Sequence, residues 1–331
     1  MEYQTGLIFP TPPSNDVEVL KIIPSDSRTL SPRIVEALQA LRESNPSFKR
    51  KLDHGIVIDP ESDDKLAYWN RMQDVLIVDN SDSSSESEEA VKITGLNLGG
   101  IMVRIIDCVP FFQCLHDHQI SIQMVNFGGT DIPMNNLLTG LQKLTCPIDA
   151  LFLGGCGIAS MKGVDDLARI LELPMCLGVT KLDLRYNDLS GEAMTKLMPT
   201  LSSNDSKLDI LHLEGNSLKH DGSKAIGTIL SKTKSLRELY LGGNSISADG
   251  AKSLAEGLGQ NLSVQKLYLE GNAIGDEGAD AFRKVLIDQT ENKSKVLKHL
   301  YVENNGMGKE AAMKLGRALN SENLVEGSLF Q

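Results

Sequence analysis

The sequence predicts an α/β solenoid with parallel strands on one side and helices on the other, and two observations predict it. The first is a repeated pattern. Leu236 to Gly250 reads L-x-x-L-x-L-x-x-N-x-I, and Val264 to Gly278 reads the same way. Aligned on the Asn position, the copies fall at Asn187, Asn216, Asn244, Asn272 and Asn305, with spacings of 29, 28, 28 and 33 residues. The second is the text between copies. In Ala251–Leu258 and Ala279–Leu286 the apolar residues recur at three and four, so one helical face is buried. A single strand–helix unit cannot cover its own apolar face, so the units must stack.

Each position of the repeat has a physical reason. Leu-x-Leu has the period of a short strand with both Leu facing the core. The Asn turns the chain out of the strand, and its amide can bond the backbone of that turn, so stacked copies form a buried ladder. Gly191, Gly222, Gly250 and Gly278 are read as turn residues preceding the helices. Upstream the pattern continues with substitutions. Ile148, Leu151, Leu153, Cys156 and Ile158 form a copy with Cys in the Asn slot; Ile122, Val125, Phe127, Thr130 and Ile132 form another; Leu96, Leu98 and Ile101 begin a first.

This pattern resembles the leucine-rich repeat, and its length is similar to the ribonuclease-inhibitor-like subtype. The resemblance covers about residues 93 to 319, with about eight repeats. It implies a horseshoe with strands on the concave face and helices on the convex face. The expected organisation is an N-terminal extension, 1–90, partly disordered with one or two helices, and a repeat domain, 91–331, with a short C-terminal cap from Val325, Leu329 and Phe330.

The formal net charge is −11 over 331 residues. Such a balance argues against nucleic acid or an anionic membrane as main partner and leaves room for a protein with a basic patch. No apolar run approaches the ~20 residues that span a bilayer. The first ten residues lack a basic segment followed by a long apolar stretch, so no secretory signal is expected. The five Cys, at 108, 114, 146, 156 and 176, match no zinc spacing and are read as buried reduced thiols. A cytoplasmic location is expected, with the nucleus as second choice. Three N-x-S sequons, at Asn204, Asn261 and Asn292, carry little weight in that setting.

Along the extension, Pro10, Pro12 and Pro13 disfavour regular structure. Ser31-Pro32 starts a helix carrying Ile34, Leu38 and Leu41. A second helix is expected from about Asp63, with Trp69 capping the first repeat. Asn80 to Glu89 is an acidic serine tract that cannot bury apolar surface. It is read as a solubilising linker, or as a phosphorylation site at Ser83 and Ser85, each with Glu three residues on. Between the last two repeats, Asp288–Lys295 is a polar extension of the junction.

In the leucine-rich repeat, the residue between the two core Leu points to the concave face. That column reads Asn97, Asn126, Phe152, Asp183, His212, Tyr240, Tyr268 and Tyr301, at neighbouring-strand spacing of roughly 5 Å. Flanking it are Lys181, Arg185, Glu214, Glu238, Lys266, Glu270, His299 and Glu303. Exposed aromatics framed by charges are what an interface centre contains, so the expected partner-binding surface runs from Phe152 to Glu303. In the early repeats Gly99, Gly128 and Gly154 make that end smoother.

No catalytic or metal constellation stands out. His116 and His118 have no third ligand at metal spacing, and no phosphate loop or nucleophile elbow occurs. No cofactor is expected. Leu300–Gly308 and Ala311–Leu319 resemble a repeat from Ran GTPase-activating proteins. That resemblance implies a role for Asn304 or Asn305 with a loop Arg. No Arg occupies the loops after Asn244 or Asn272, Arg104 lies far along the solenoid, and the acidic tract is N-terminal rather than C-terminal. The expected function is a non-enzymatic adaptor or scaffold binding a protein partner. The alternatives are a small-GTPase regulator or a structural subunit of a larger assembly.

Overall fold

The computed structural model describes residues 76–79, 92–97, 108–117, 121–203, 205–292 and 296–319. Both helices read in the extension, Trp69, the acidic tract with Ser83 and Ser85, Arg104, His118 and the C-terminal cap lie outside these residues.

Strand and helix alternate along the chain. They are β1 (Leu76–Asp79), β2 (Lys92–Asn97), α1 (Val109–Asp117), β3 (Met124–Asn126), α2 (Met134–Leu141), β4 (Ala150–Phe152), α3 (Met161–Leu171), β5 (Lys181–Asp183) and α4 (Gly191–Leu201). Then come β6 (Ile210–His212), α5 (Lys219–Lys232), β7 (Glu238–Tyr240), α6 (Ala248–Gly259), β8 (Lys266–Tyr268), α7 (Gly275–Glu291), β9 (His299–Tyr301) and α8 (Lys309–Leu319). The strands form one sheet in chain order. From β2 to β9 every pairing is parallel. β1, from the segment read as extension, pairs antiparallel with β2 at the N-terminal edge. No helix of the described residues is long and apolar enough to cross a membrane.

The apolar positions of the motif make a single continuous core. Leu239, Leu241, Leu267, Leu269, Ile246 and Ile274 are fully buried, as are the helix residues Leu254, Leu258, Phe282 and Leu286. The substituted copies behave alike: Ile122, Val125 and Phe127, then Ile148, Leu151 and Leu153, are buried in the same positions. At the N-terminal side the core is aromatic, with Phe112 edge-on to Phe111 and tilted against Phe127.

The polar slot of each copy forms the expected ladder inside this core. Asn272 Nδ2 donates to the carbonyls of Leu241 and Leu269, and its Oδ1 accepts from the amides of Asn244 and Ile246. Asn216 and Asn187 do the same two and three repeats earlier. Cys156 takes the slot with its thiol donating to Phe127 O, and Thr130 with its hydroxyl donating to the same carbonyl. Each side chain thus satisfies backbone groups that the turn would otherwise strand without water. Asn305 belongs to this ladder: it is 2% exposed, and its amide donates to Leu269 O and Val302 O. It is therefore not presented to a substrate, as the Ran-type resemblance would require; Asn304 beside it is exposed.

Three helices start with a serine that sequence analysis did not single out. Ser160, Ser190 and Ser247 accept from the amides of Gly163, Ala193 and Gly250, satisfying a helix-end donor. The glycines read as preceding the helices lie inside them instead. Gly191, Gly222, Gly250 and Gly278 stand in the first turn with ordinary φ, where a side chain would run into the neighbouring helix or the turn below. Deeper in the layer, Gly227 of α5 faces Gly257 of α6, and a Cβ on either would overlap backbone carbonyl of the other helix. The junction read as a polar extension is helical in part, since α7 runs on through Glu291. Cys108, Cys114, Cys156 and Cys176 are buried reduced thiols, whereas Cys146 is only half-buried. Asn261, a sequon residue, is 2% exposed and its amide donates to Leu230 O.

Candidate functional site: the concave ring stack and its carboxylates

The parallel register fixes which side chains meet. Asn97, Asn126, Phe152, Asp183, His212, Tyr240, Tyr268 and Tyr301 are paired strand to strand, in the order read from the sequence. Identical backbone geometry in consecutive strands gives consecutive rings the same direction. His212 and Tyr240 stack with centroids 4.1 Å apart, Tyr240 and Tyr268 at 4.1 Å, and Tyr268 and Tyr301 at 4.4 Å, with planes within 16° of parallel. Contacts of this kind contribute roughly 0.5–1.5 kcal/mol each beyond their area. The three tyrosines stay half-exposed, while His212 is buried beneath Tyr240. His299 lies 6.2 Å from the ring of Tyr301.

Phe152 departs from the expectation of an exposed aromatic. It is 6% exposed, packed with Met124 and Ala150 in a small cluster on this face, and Asp183 separates it from the stack. Asp183 is buried too, held by Arg185, whose Nε lies 2.9 Å from its carboxylate. Burial would lower the Arg185 pKa, but Asp183 and Glu214 outweigh it and raise it. Lys181 is half-buried at the head of β5.

On one flank of the stack, Glu238 collects two donors. Tyr240 Oη donates to its Oε2 and Lys266 Nζ to its Oε1, both at 2.8 Å. Burial alone would raise the Glu238 carboxyl, but these two hydrogen bonds hold it below its usual value. Lys266 is raised in turn, chiefly by Glu238. Burial, with the hydrogen bonds to Tyr268 and Glu238, pushes the Tyr240 phenol upward, so it stays protonated.

On the other flank the position two residues past the stack reads Arg185, Glu214, Gly242, Glu270 and Glu303. Glu214 Oε1 lies 2.9 Å from His212 Nδ1. Burial, then the charges of Glu303 and Glu214, raise the Glu270 carboxyl to about 7. Glu214 Oε2 and Glu303 Oε2 are buried without a hydrogen-bond partner. Gly242 leaves a gap in this row: a Cβ there would find Glu270 Oε2 at 3.7 Å and Glu214 Cγ at 3.9 Å. The individual Glu residues are legible in the sequence as framing charges. Their crowding across Gly242 and the inclusion of His212 in the stack are not, because both depend on side-chain direction. Tyr186, whose ring covers Gly215, also escapes the column reading because it lies in the turn after β5.

Among the described residues no group of three or more His, Cys, Asp and Glu is arranged to hold a metal ion. A cleft of about 270 Å³ lies off the concave face, lined by Leu171, Leu177, Pro199 and Leu208.

A leucine-rich-repeat family model matches residues 179–198, 233–255 and 260–282, over the turns and strands just described. The chain is a leucine-rich-repeat protein. Two solved structures are similar to it in fold. One is described as Leiomodin-1 Actin-Binding Site 2, with 18% identity and a TM-score of 0.37 over 49% of this chain and 88% of that one. The other is a Caenorhabditis elegans tropomodulin C-terminal domain, with 13% identity and a TM-score of 0.34 over 56% and 91%. No curated protein matches the chain.

Proposed function

We propose that this leucine-rich-repeat protein is a non-enzymatic interaction module, an adaptor or scaffold, that binds a protein partner through its concave face. The observation that carries this reading is the ring stack. Three half-exposed tyrosines stand in line with planes nearly parallel, already ordered before any partner arrives. Rigid aromatic area of this kind binds without first losing side-chain freedom. Glu214, Glu238, Lys266, Glu270, His299 and Glu303 frame it as a polar rim. Asp183, Arg185 and His212 are assigned a supporting role, because they are paired or covered; Phe152 belongs with them. The repeat spacing of 28–29 residues supports the ribonuclease-inhibitor-like subtype. Phosphorylation at Ser83 and Ser85 and a cytoplasmic location belong to the same proposal.

The test is affinity capture by the full chain beside a Tyr240→Ala/Tyr268→Ala/Tyr301→Ala variant whose fold is checked by circular dichroism. A partner retained by the wild type and reduced at least tenfold with the variant supports the concave face. An identical set of partners from both proteins would move the function elsewhere.

A further inference from the structure

Resting on the concave-face reading, we infer that the surface between β6 and β9 takes an extended segment bearing arginine, with its guanidinium seated over Glu214, Glu270 and Glu303. Charge complementarity is the argument, and it has three parts. The first is that the two cations flanking the row are already paired: Lys266 is held by Glu238, and Arg185 by Asp183. The second is that among the described residues no ion pair holds Glu270 or Glu303, that Glu214 has the ring nitrogen of His212 at its Oε1, and that Glu214 Oε2 and Glu303 Oε2 are buried without a donor. Carboxylates arranged in this way disfavour one another and are stabilised by an incoming charge that donates hydrogen bonds to several oxygens at once. The third is access. Gly242 interrupts the row between Glu214 and Glu270, so a planar donor meets a gap there rather than a side chain. A guanidinium, with its fork of five N–H groups, suits this geometry better than the single point of an ammonium. The tyrosine stack alongside supplies the apolar wall for the rest of the segment.

The probe is a fluorescein-labelled Gly-Arg-Gly-Arg-Gly-Arg-Gly peptide, read by anisotropy with the full chain at low salt. Its counterpart carries citrulline at each Arg, which keeps the shape and removes the charge. Binding of the Arg peptide at least tenfold tighter than the citrulline peptide is expected. A Glu214→Gln/Glu270→Gln/Glu303→Gln variant should lose at least tenfold, while Asp249→Asn/Glu277→Gln, on the helical face, should change binding less than twofold. Undetectable binding of the Arg peptide, equal loss in both variants, or calcium binding stoichiometrically to the row in place of peptide would each overturn the inference. The two readings separate in the capture experiment. A partner lost with the tyrosine variant but kept by the glutamine variant leaves the concave face standing and removes the arginine. A partner indifferent to both removes the face itself.

Discussion

Glu270 shows how far a side chain can be driven from its solution behaviour by the fold around it. Its carboxyl is raised by burial and by Glu303 and Glu214 to about 7, against 4.5 for the free group. Between those values the folded chain keeps a proton that the unfolded chain has released. Stability from this group therefore falls as pH rises through that window, and above pH 7 the full penalty is present. Replacing Glu270 by Gln should raise the melting temperature at pH 8, by about 2–4 °C for a gain on the order of 1 kcal/mol after solvent screening. The gain should shrink toward pH 5. Calorimetry at the two pH values decides it, and equal shifts at both would show that charge crowding is not the cause. The residue scale is also where the sequence is read unevenly. Asn187, Asn216, Asn244, Asn272 and Asn305 are legible because the turn in each of these five copies uses that amide. The burial of Phe152 and the crowding of the three glutamates are not, since both are properties of neighbours brought from other repeats.

At the scale of elements, strands are easier to place than helices are to bound. Leu-x-Leu marks β7 and β8 to within one residue, whereas the spacing of apolar residues marks only the middle of α6, Ala251–Leu258 within Ala248–Gly259. The missing turn begins at Ser247, a capping residue whose effect is local and leaves no periodic trace. The helical layer has a further constraint invisible to periodicity, the close approach of α5 and α6 at Gly227 and Gly257. Gly257→Ala would raise intrinsic helix propensity by about 1 kcal/mol. It would also drive a methyl group into the Gly227 carbonyl, so the net effect should be a loss of about 2 kcal/mol, in the range that overpacking produces. Urea denaturation followed by circular dichroism measures this. A stabilised Gly257→Ala protein would mean that the two helices can separate freely at this point.

For the whole molecule, strand order equal to chain order means that each unit packs only on the one before and the one after. Stability should then be graded along the solenoid rather than uniform. Backbone amides of β6 to β8, with a packed repeat on both sides, should exchange with deuterium at least tenfold more slowly than those of β9. Mass spectrometry of the intact chain after quench and digestion gives the profile, and uniform protection from β3 to β9 would indicate one all-or-none unit. The ring stack adds a mechanical property to this spring. Its centroids lie 4.1–4.4 Å apart, already closer than the backbones of adjacent strands at about 4.8 Å. Carbon faces resist approach below about 3.5 Å. The tyrosines are therefore a hard stop against tighter bending and only a soft tether against straightening, so thermal flexing at the C-terminal half should widen the arc far more readily than narrow it.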